Sequence, residues 1–483
     1  MDSPYWVYGE YFIFNAKFNG LIVDYLDTIK LCSKLIFSDY DKFDQSIKHI
    51  DNSYASYFLG SRFNEPLGNS LDRTINLTHL TFGCEFNQPL ANSLDSQTNL
   101  THLTFGYRFN QPLSNSLNNL INLTQINFGE SFNKPLDDSL NNLINLTQIN
   151  FGESFNKPLS NSLDKLINLT HITFGKLFDK PLSNSLDKLI NLTQITFSYE
   201  FNQPLANSLD KLINLTHITF DYYFNQPLAN SFDQLINLTQ IIFSYQFNVQ
   251  LGNSLDKLKN LTQITFGNAF DQPLENSCDS LINLSNITFG RNFNQPLANS
   301  LDNLINLKNL TFGRNFNQPL ANSLDNLINL TSIIFGYMFN QPLTNSLDKL
   351  INLTHITFGQ NFNQPLTNVL YYLTKLEYLE LGYRFNQELY LPHNIKILTM
   401  NCNNQHLVNN LPNSIEQLNL DYNFDSVSLD DLPNSIKKIE FNGNSEYNNE
   451  LNNLPKSLEQ LILPMNYKLE IKNIPPNCEI IHG

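Results

Sequence analysis

Charge is scarce in this sequence. Charged residues are 15% of its 483, the formal charge is −15, and Lys and Arg are scattered singly rather than clustered. That excludes binding of nucleic acid by phosphate neutralisation. Cysteine is scarce too: Cys32, Cys84, Cys278, Cys402 and Cys478 stand at neither metal-ligand nor disulfide-framework spacing. Such usage suits a reducing compartment. No apolar run is long enough to span a membrane, and MDSPYWVYGEYF has no basic stretch followed by an apolar core. A cytoplasmic protein with no membrane partner is expected. Catalytic signals are missing as well. There is no HExxH, no phosphate-cradling Gly loop and no acid dyad, so neither an enzyme nor any metal or cofactor is expected.

What is present is a period. The stretch FNQPLANSLDKLINLTHITFDYY, Phe201 to Tyr223, recurs with substitutions every 23 residues from Phe63 to Phe385, in fifteen in-phase copies. A fixed period of this size marks a solenoid. Numbered from the Phe, columns 5, 9, 12, 15, 18 and 20 are apolar in nearly every copy, as at Leu205, Leu209, Leu212, Leu215, Ile218 and Phe220. The Ile218-x-Phe220 segment alternates like a short strand with one buried face. Pro at column 4 and Asn-Ser at columns 7 and 8 exclude a long helix. Ser at column 8, before Leu-Asp-x-Leu, suits the N-cap of a short helical turn. One copy cannot bury six apolar residues; stacked copies can.

The pattern resembles the leucine-rich repeat, and more closely the FNIP repeat, through FNQPL at Phe86, Phe109, Phe201, Phe224, Phe293, Phe316, Phe339 and Phe362. The resemblance implies an FNIP-repeat protein of the kind found in social amoebae and giant DNA viruses, placed in the host cytoplasm if viral. The expected fold is an α/β-type repeat solenoid: a leucine-rich-repeat-like right-handed coil with a parallel concave β-sheet and short 3₁₀ or α convex turns. Leucine-rich repeats carry a ladder Asn eight residues after the column-15 Leu. Here the recurring Asn comes two residues later, at column 2: Asn87, Asn110, Asn133, Asn156, Asn202, Asn225, Asn248, Asn294, Asn317, Asn340 and Asn363, with Asp179 and Asp271 as variants that keep the acceptor oxygen. A structural Asn/Asp ladder serving buried backbone groups is expected.

Other columns read as scaffold. Asn-Leu-Thr at columns 14–16, as at Asn76, Asn122 and Asn214, is formally a glycosylation acceptor. Glycans on adjacent coils would crowd each other, so the motif reads as repeat structure. The column-10 acids, such as Asp164 and Asp187, lack the converging oxygens that calcium needs. His79 and His102 occupy column 17 of successive coils without further ligands for zinc, and the Thr ladders at columns 16 and 19 are interrupted by Asn127 and Ile242.

Three regions follow. Residues 1–62 read as degenerate repeats forming an N-terminal cap. Phe14-Asn15-Ala16-Lys17-Phe18-Asn19 and Phe37 to Gln45 echo repeat junctions. Alternatively this is a degraded F-box, with Leu26 to Ile36 as a helix. Residues 63–390 hold the 23-residue copies. Residues 391–483 hold shorter LPxSIxxL coils, marked by Leu391-Pro392, Leu411-Pro412, Leu432-Pro433, Leu454-Pro455 and Ile474-Pro475.

Columns 22 and 23 vary while their flanks do not. Just after the strand, they should line one rim of the sheet. Tyr199, Tyr222, Tyr223 and Tyr245 should form an aromatic strip there, with Arg291 and Arg314 further along, and Tyr and Arg are interface-anchoring residues. The expected function is a monomeric, non-enzymatic protein–protein interaction scaffold. An F-box-type substrate adaptor docking onto a ubiquitin ligase scaffold is one alternative; an enzyme with a site in residues 1–62 is another.

Overall fold

The computed structural model describes residues 3–40 and 61–482. The chain divides into two compact units, Met1–Ser244 and Tyr245–Gly483, each a parallel-stranded solenoid.

In the first unit β1 (Tyr5–Tyr8) and β2 (Tyr11–Phe14) form an antiparallel hairpin. From β2 onward every pairing is parallel: β2 with β3 (Lys34–Phe37), and β3 with β4 (His79–Thr81). β5 (His102–Thr104), β6 (Gln125–Asn127), β7 (Gln148–Asn150), β8 (His171–Thr173), β9 (Gln194–Phe197), β10 (His217–Phe220) and β11 (Gln240–Ile242) follow in sequence order. In the second unit β12 (Gln263–Thr265), β13 (Asn286–Thr288), β14 (Asn309–Thr311), β15 (Ser332–Ile334), β16 (His355–Thr357) and β17 (Tyr378–Leu381) continue the 23-residue spacing. The shorter coils then add β18 (Ile397–Met400), β19 (Gln417–Leu420), β20 (Lys438–Phe441), β21 (Gln460–Leu463) and β22 (Glu479–His482). Identical columns face each other, as Ile218 with Ile195 and Leu103 with Ile126, so apolar side chains stack from coil to coil.

The core is made of columns 1, 5, 9, 12, 15, 18 and 20, buried in copy after copy. Column 1 joins the six apolar columns. Its Phe packs on the column-20 Phe before it (Phe82 and Phe86, ring centroids 4.1 Å apart) and on the next column-1 Phe (Phe86 and Phe109, 6.1 Å). This double row of rings runs through the 23-residue copies of each unit and ends at Phe385.

Column 21, just after the strand, is Gly in most copies because the neighbouring coil passes too close for a Cβ. A Cβ added at Gly129 would lie 1.8 Å from the carbonyl oxygen of Gly106. Three successive copies carry Ser198, Asp221 and Ser244 here instead, and the serine hydroxyls donate to the Phe178 and Phe224 carbonyls.

The opposite side of each long coil is a run of i→i+3 turns rather than a helix. In the Phe132 copy, backbone bonds run from Ser139 to Leu136, Asn141 to Asp138, Leu143 to Leu140 and Leu146 to Leu143. Ser139 does not act as the expected N-cap, since its Oγ donates to the Leu136 carbonyl. Column 6 sits in the left-handed region, at Ala229 (φ 42°) and Ser160 (φ 47°) among others. In the shorter coils each Pro opens an equivalent turn, as in Ile415 N–H to the Pro412 carbonyl at 3.2 Å.

The N-terminal stretch builds a coil of the same period, since β2 and β3 start 23 residues apart at Tyr11 and Lys34. The helix that the F-box alternative expects over Leu26 to Ile36 is only Leu26–Ile29 (α1), after a 3₁₀ turn at Ile22–Tyr25. The rest, Lys34–Phe37, is strand, because the short apolar run buries alternate residues against the sheet. Phe43, Asp44 and Gln45 lie outside the described residues. The place beside Phe37 is taken by Phe63, with ring centroids 4.3 Å apart.

Candidate functional site

Every coil spends its polar side chains on its neighbours, which decides what remains for binding. At column 2, Oδ1 of each residue accepts the N–H of the same column one coil on. Asn87, Asn110, Asn133, Asn156, Asp179 and Asn202 accept from Asn110, Asn133, Asn156, Asp179, Asn202 and Asn225 at 2.9–3.1 Å. In the second unit Asn248, Asp271, Asn294, Asn317, Asn340 and Asn363 accept from Asp271, Asn294, Asn317, Asn340, Asn363 and Asn386 at 2.8–2.9 Å. These groups are half-buried or exposed rather than deep in the core, so each bond is worth less than a fully buried one would be.

A second Asn row stands at column 14. Asn145 Nδ2 donates to the Ile121 carbonyl at 2.8 Å and Asn214 Nδ2 to the Ile190 carbonyl at 2.9 Å, and the same bond recurs along both units. Thr of column 16 adds a third, as Thr216 Oγ1 donates to the Thr193 carbonyl at 2.9 Å. The Asn-Leu-Thr motif thus binds coil to coil. From the last long coil into the shorter ones, column 16 becomes alternately acidic and basic, with ion pairs Glu377–Lys396 and Glu416–Lys437, both at 2.8 Å.

The column-17 histidines are tied to that third row. Thr101 Oγ1 gives its one proton to the Thr78 carbonyl, so His102 Nδ1, 2.8 Å away, must donate to it, leaving Nε2 as acceptor. His79 and His102 stack with ring centroids 4.1 Å apart. Burial, then the neighbouring His102, pushes His79 down to about 4; burial and Lys34 lower His102. Among the described residues, no group of three or more His, Cys, Asp or Glu is placed to hold a metal ion.

The rim left by these rows is columns 22 and 23. In the first unit Tyr199 and Tyr222 stack face to face at 4.5 Å, and Tyr223 meets them edge-on at 5.3 and 4.8 Å. Lys176 Nζ lies 5.3 Å from the Tyr199 ring centre. Arg108 on the same rim is paired with Glu85 at 2.9 Å. Tyr245, Arg291 and Arg314 belong to the second unit and are exposed, and the Arg314 guanidinium lies 4.7 Å over the Tyr337 ring. Tyr337, Tyr383 and Arg384 complete this rim and were not singled out from sequence. Reading columns 22 and 23 down the second unit alone would have found them.

A parallel sheet on one side, short turns on the other and side-chain ladders between define a leucine-rich-repeat solenoid. The chain belongs to the BspA-type leucine-rich repeat family, whose six-copy region model matches residues 69–188, 182–304 and 274–389. The FNIP Repeat model matches the shorter coils, at 385–423, 403–443 and 422–465. No protein of curated function matches the sequence. Among solved structures, the chain is similar to CroV588, described as a novel circular leucine-rich-repeat protein, from the giant virus CroV. Identity is 28% and the TM-score 0.66, over 99% of this chain and 77% of that one. It shares its fold with a chain of the Toll–Spatzle complex of Drosophila (13% identity, TM-score 0.58, 97% of this chain and 68% of that one). It shares it too with the leucine-rich-repeat protein LIC12759 of Leptospira interrogans (17% identity, TM-score 0.51, 70% and 87%).

Proposed function

We propose that this chain is a non-enzymatic protein-interaction scaffold that presents its post-strand rim to protein partners. The observation that carries the reading is the Tyr199–Tyr222–Tyr223 cluster. It stands where sequence varies, while the columns around it are occupied by inter-coil bonds. Aromatic side chains gathered at one place on the surface are the usual anchors of protein interfaces. The fold shared with a chain of the Toll–Spatzle complex supports the same class of use. Tyr245, Arg291 and Arg314 are the corresponding anchors on the second unit. No helix among the described residues is long and apolar enough to cross a membrane, and the proposed setting is the cytoplasm, with the chain acting as a monomer.

The adaptor alternative gains no support from residues 3–40, which pair into the sheet through β2 and β3. Pull-down with the ubiquitin ligase scaffold separates the two readings. The direct test compares proximity labelling in the native cell by the wild-type chain and by a variant with Tyr222, Tyr245, Arg291 and Arg314 together replaced by Ser. The variant should melt nearly as the parent does, because these positions lie outside the apolar columns, and should lose its partners. Intact folding with every partner retained would overturn the reading.

A further inference from the structure

The sequence contains six arginines, and three of them, Arg291, Arg314 and Arg384, stand on the rim of the second unit. Columns 22 and 23 of that unit run from Tyr245-Gln246 to Tyr383-Arg384, and not one of their fourteen residues is acidic. The first unit differs: its rim includes Glu85, Glu130, Glu153 and Glu200, and its Arg108 is already held by Glu85. No ion pair holds Arg291, Arg314 or Arg384 among the described residues. Of the acids on adjoining columns, Asp271 is engaged by the Asn294 N–H and the Gln295 amide, and Glu380 by the Tyr378 hydroxyl. The aromatic Tyr337 and Tyr383 and the apolar Met338 lie between or beside the cations, all exposed. A local basic and aromatic surface on a chain of net charge −15 is a selective feature. Long-range repulsion discourages extended polyanions, while a short acidic segment still finds three guanidinium groups.

We propose that the second unit's rim binds a short, extended, acidic peptide segment of a protein partner. This rests on the reading of the rim as the partner surface. Arg291 and Arg384 are four coils apart, about 19 Å at ~4.8 Å per coil, which an extended peptide of about six residues spans. Carboxylates pair with the guanidinium groups in two-point contacts. An aromatic or apolar side chain of the segment settles against Tyr337 and Met338, where the Arg314–Tyr337 stack already fixes the geometry.

The experiment is fluorescence anisotropy on the full chain, at low and high salt, with labelled hexaglutamate, hexalysine and a six-base oligoadenylate as probes. Hexaglutamate should bind, weaken with salt, and lose at least tenfold in affinity in the variant Arg291→Ser/Arg314→Ser/Arg384→Ser. That variant should melt as the parent does. Arg108→Ser, on the other unit, should leave the affinity unchanged, and hexalysine should not bind. No hexaglutamate binding, or equal binding by the triple variant, overturns the proposal. So does oligoadenylate binding more tightly than hexaglutamate and lost in the triple variant, which would assign the surface to nucleic acid instead. If hexaglutamate fails while the fourfold Tyr/Arg→Ser variant still loses its cellular partners, the scaffold reading stands and only the acidic-segment assignment falls.

Discussion

Asp179 Oδ1 accepts the backbone N–H of Asn202 at 3.0 Å, one coil away, in the same geometry that Asn uses elsewhere in the column. What the position requires is therefore an acceptor oxygen at that reach, not an amide. Asn202→Ala removes the acceptor for the Asn225 N–H and for the Gln226 amide. Because this N–H is exposed, water replaces part of the loss, and the cost should be about 1 kcal/mol, at the low end for a lost hydrogen bond. Asn202→Asp should cost much less. Denaturant melts of the three proteins check this; equal stability of wild type and Asn202→Ala would remove the ladder from the account.

Gly129→Ala should destabilise far more. Its new Cβ would collide with the Gly106 carbonyl at 1.8 Å, and backbone on both coils would have to part. The loss should be about 3 kcal/mol or more, in the range of severe overpacking. A melting curve that matches wild type would show that coils separate more easily than this contact implies.

The column-6 residues give the opposite sign. Ala229 holds φ at 42°, a conformation that costs a Cβ-bearing residue roughly 1 kcal/mol and glycine almost nothing. Gly68 and Gly252 already occupy this column. Ala229→Gly should be neutral to stabilising despite the added freedom of the unfolded chain, by up to about 1 kcal/mol. A clear loss of stability would contradict the strain assignment.

Acid should weaken the first unit through its histidine stack. His79 in the fold sits at about 4 against an ordinary value of 6.5, and His102 is lowered too. Burial, then the His102 ring and Lys34, disfavour a charged His79, while Glu10 opposes them. A folded-state value below the unfolded one means the unfolded chain takes up protons first. Stability is complete above about pH 6.5 and falls as pH drops toward 4. His79→Gln/His102→Gln should flatten that fall, since Gln125 and Gln148 already fill the column. The same pH slope in the variant would place the acid sensitivity elsewhere.

The solenoid was legible because a 23-residue period leaves each column one environment, and fifteen copies average out single substitutions. Column 2 could be read the same way, through its Asp variants. The Gly column was equally regular, but its cause, a neighbouring carbonyl where a Cβ would go, lies between coils rather than within one. The Ser cap failed for a related reason. Ser139 has a carbonyl within reach, and a hydroxyl donates as readily as it accepts. Leu26 to Ile36 stayed open between repeat and F-box helix because a short apolar run fits helix and strand alike. On the rim, Arg384 and Tyr337 were not legible as a group because neither has a like residue one coil away in its own column. Their significance lies in the acids missing between them.

What matters most is which face of the coils meets a partner. Amide hydrogen exchange on the chain with its recovered partner bound tests that most directly. Protection should rise just after the strands, around Tyr199, Tyr222 and Tyr223 in one unit and around Arg291, Arg314 and Tyr337 in the other, and stay unchanged at column-6 residues such as Ser160 and Ala229. New protection confined to the turns, with none after the strands, would contradict it.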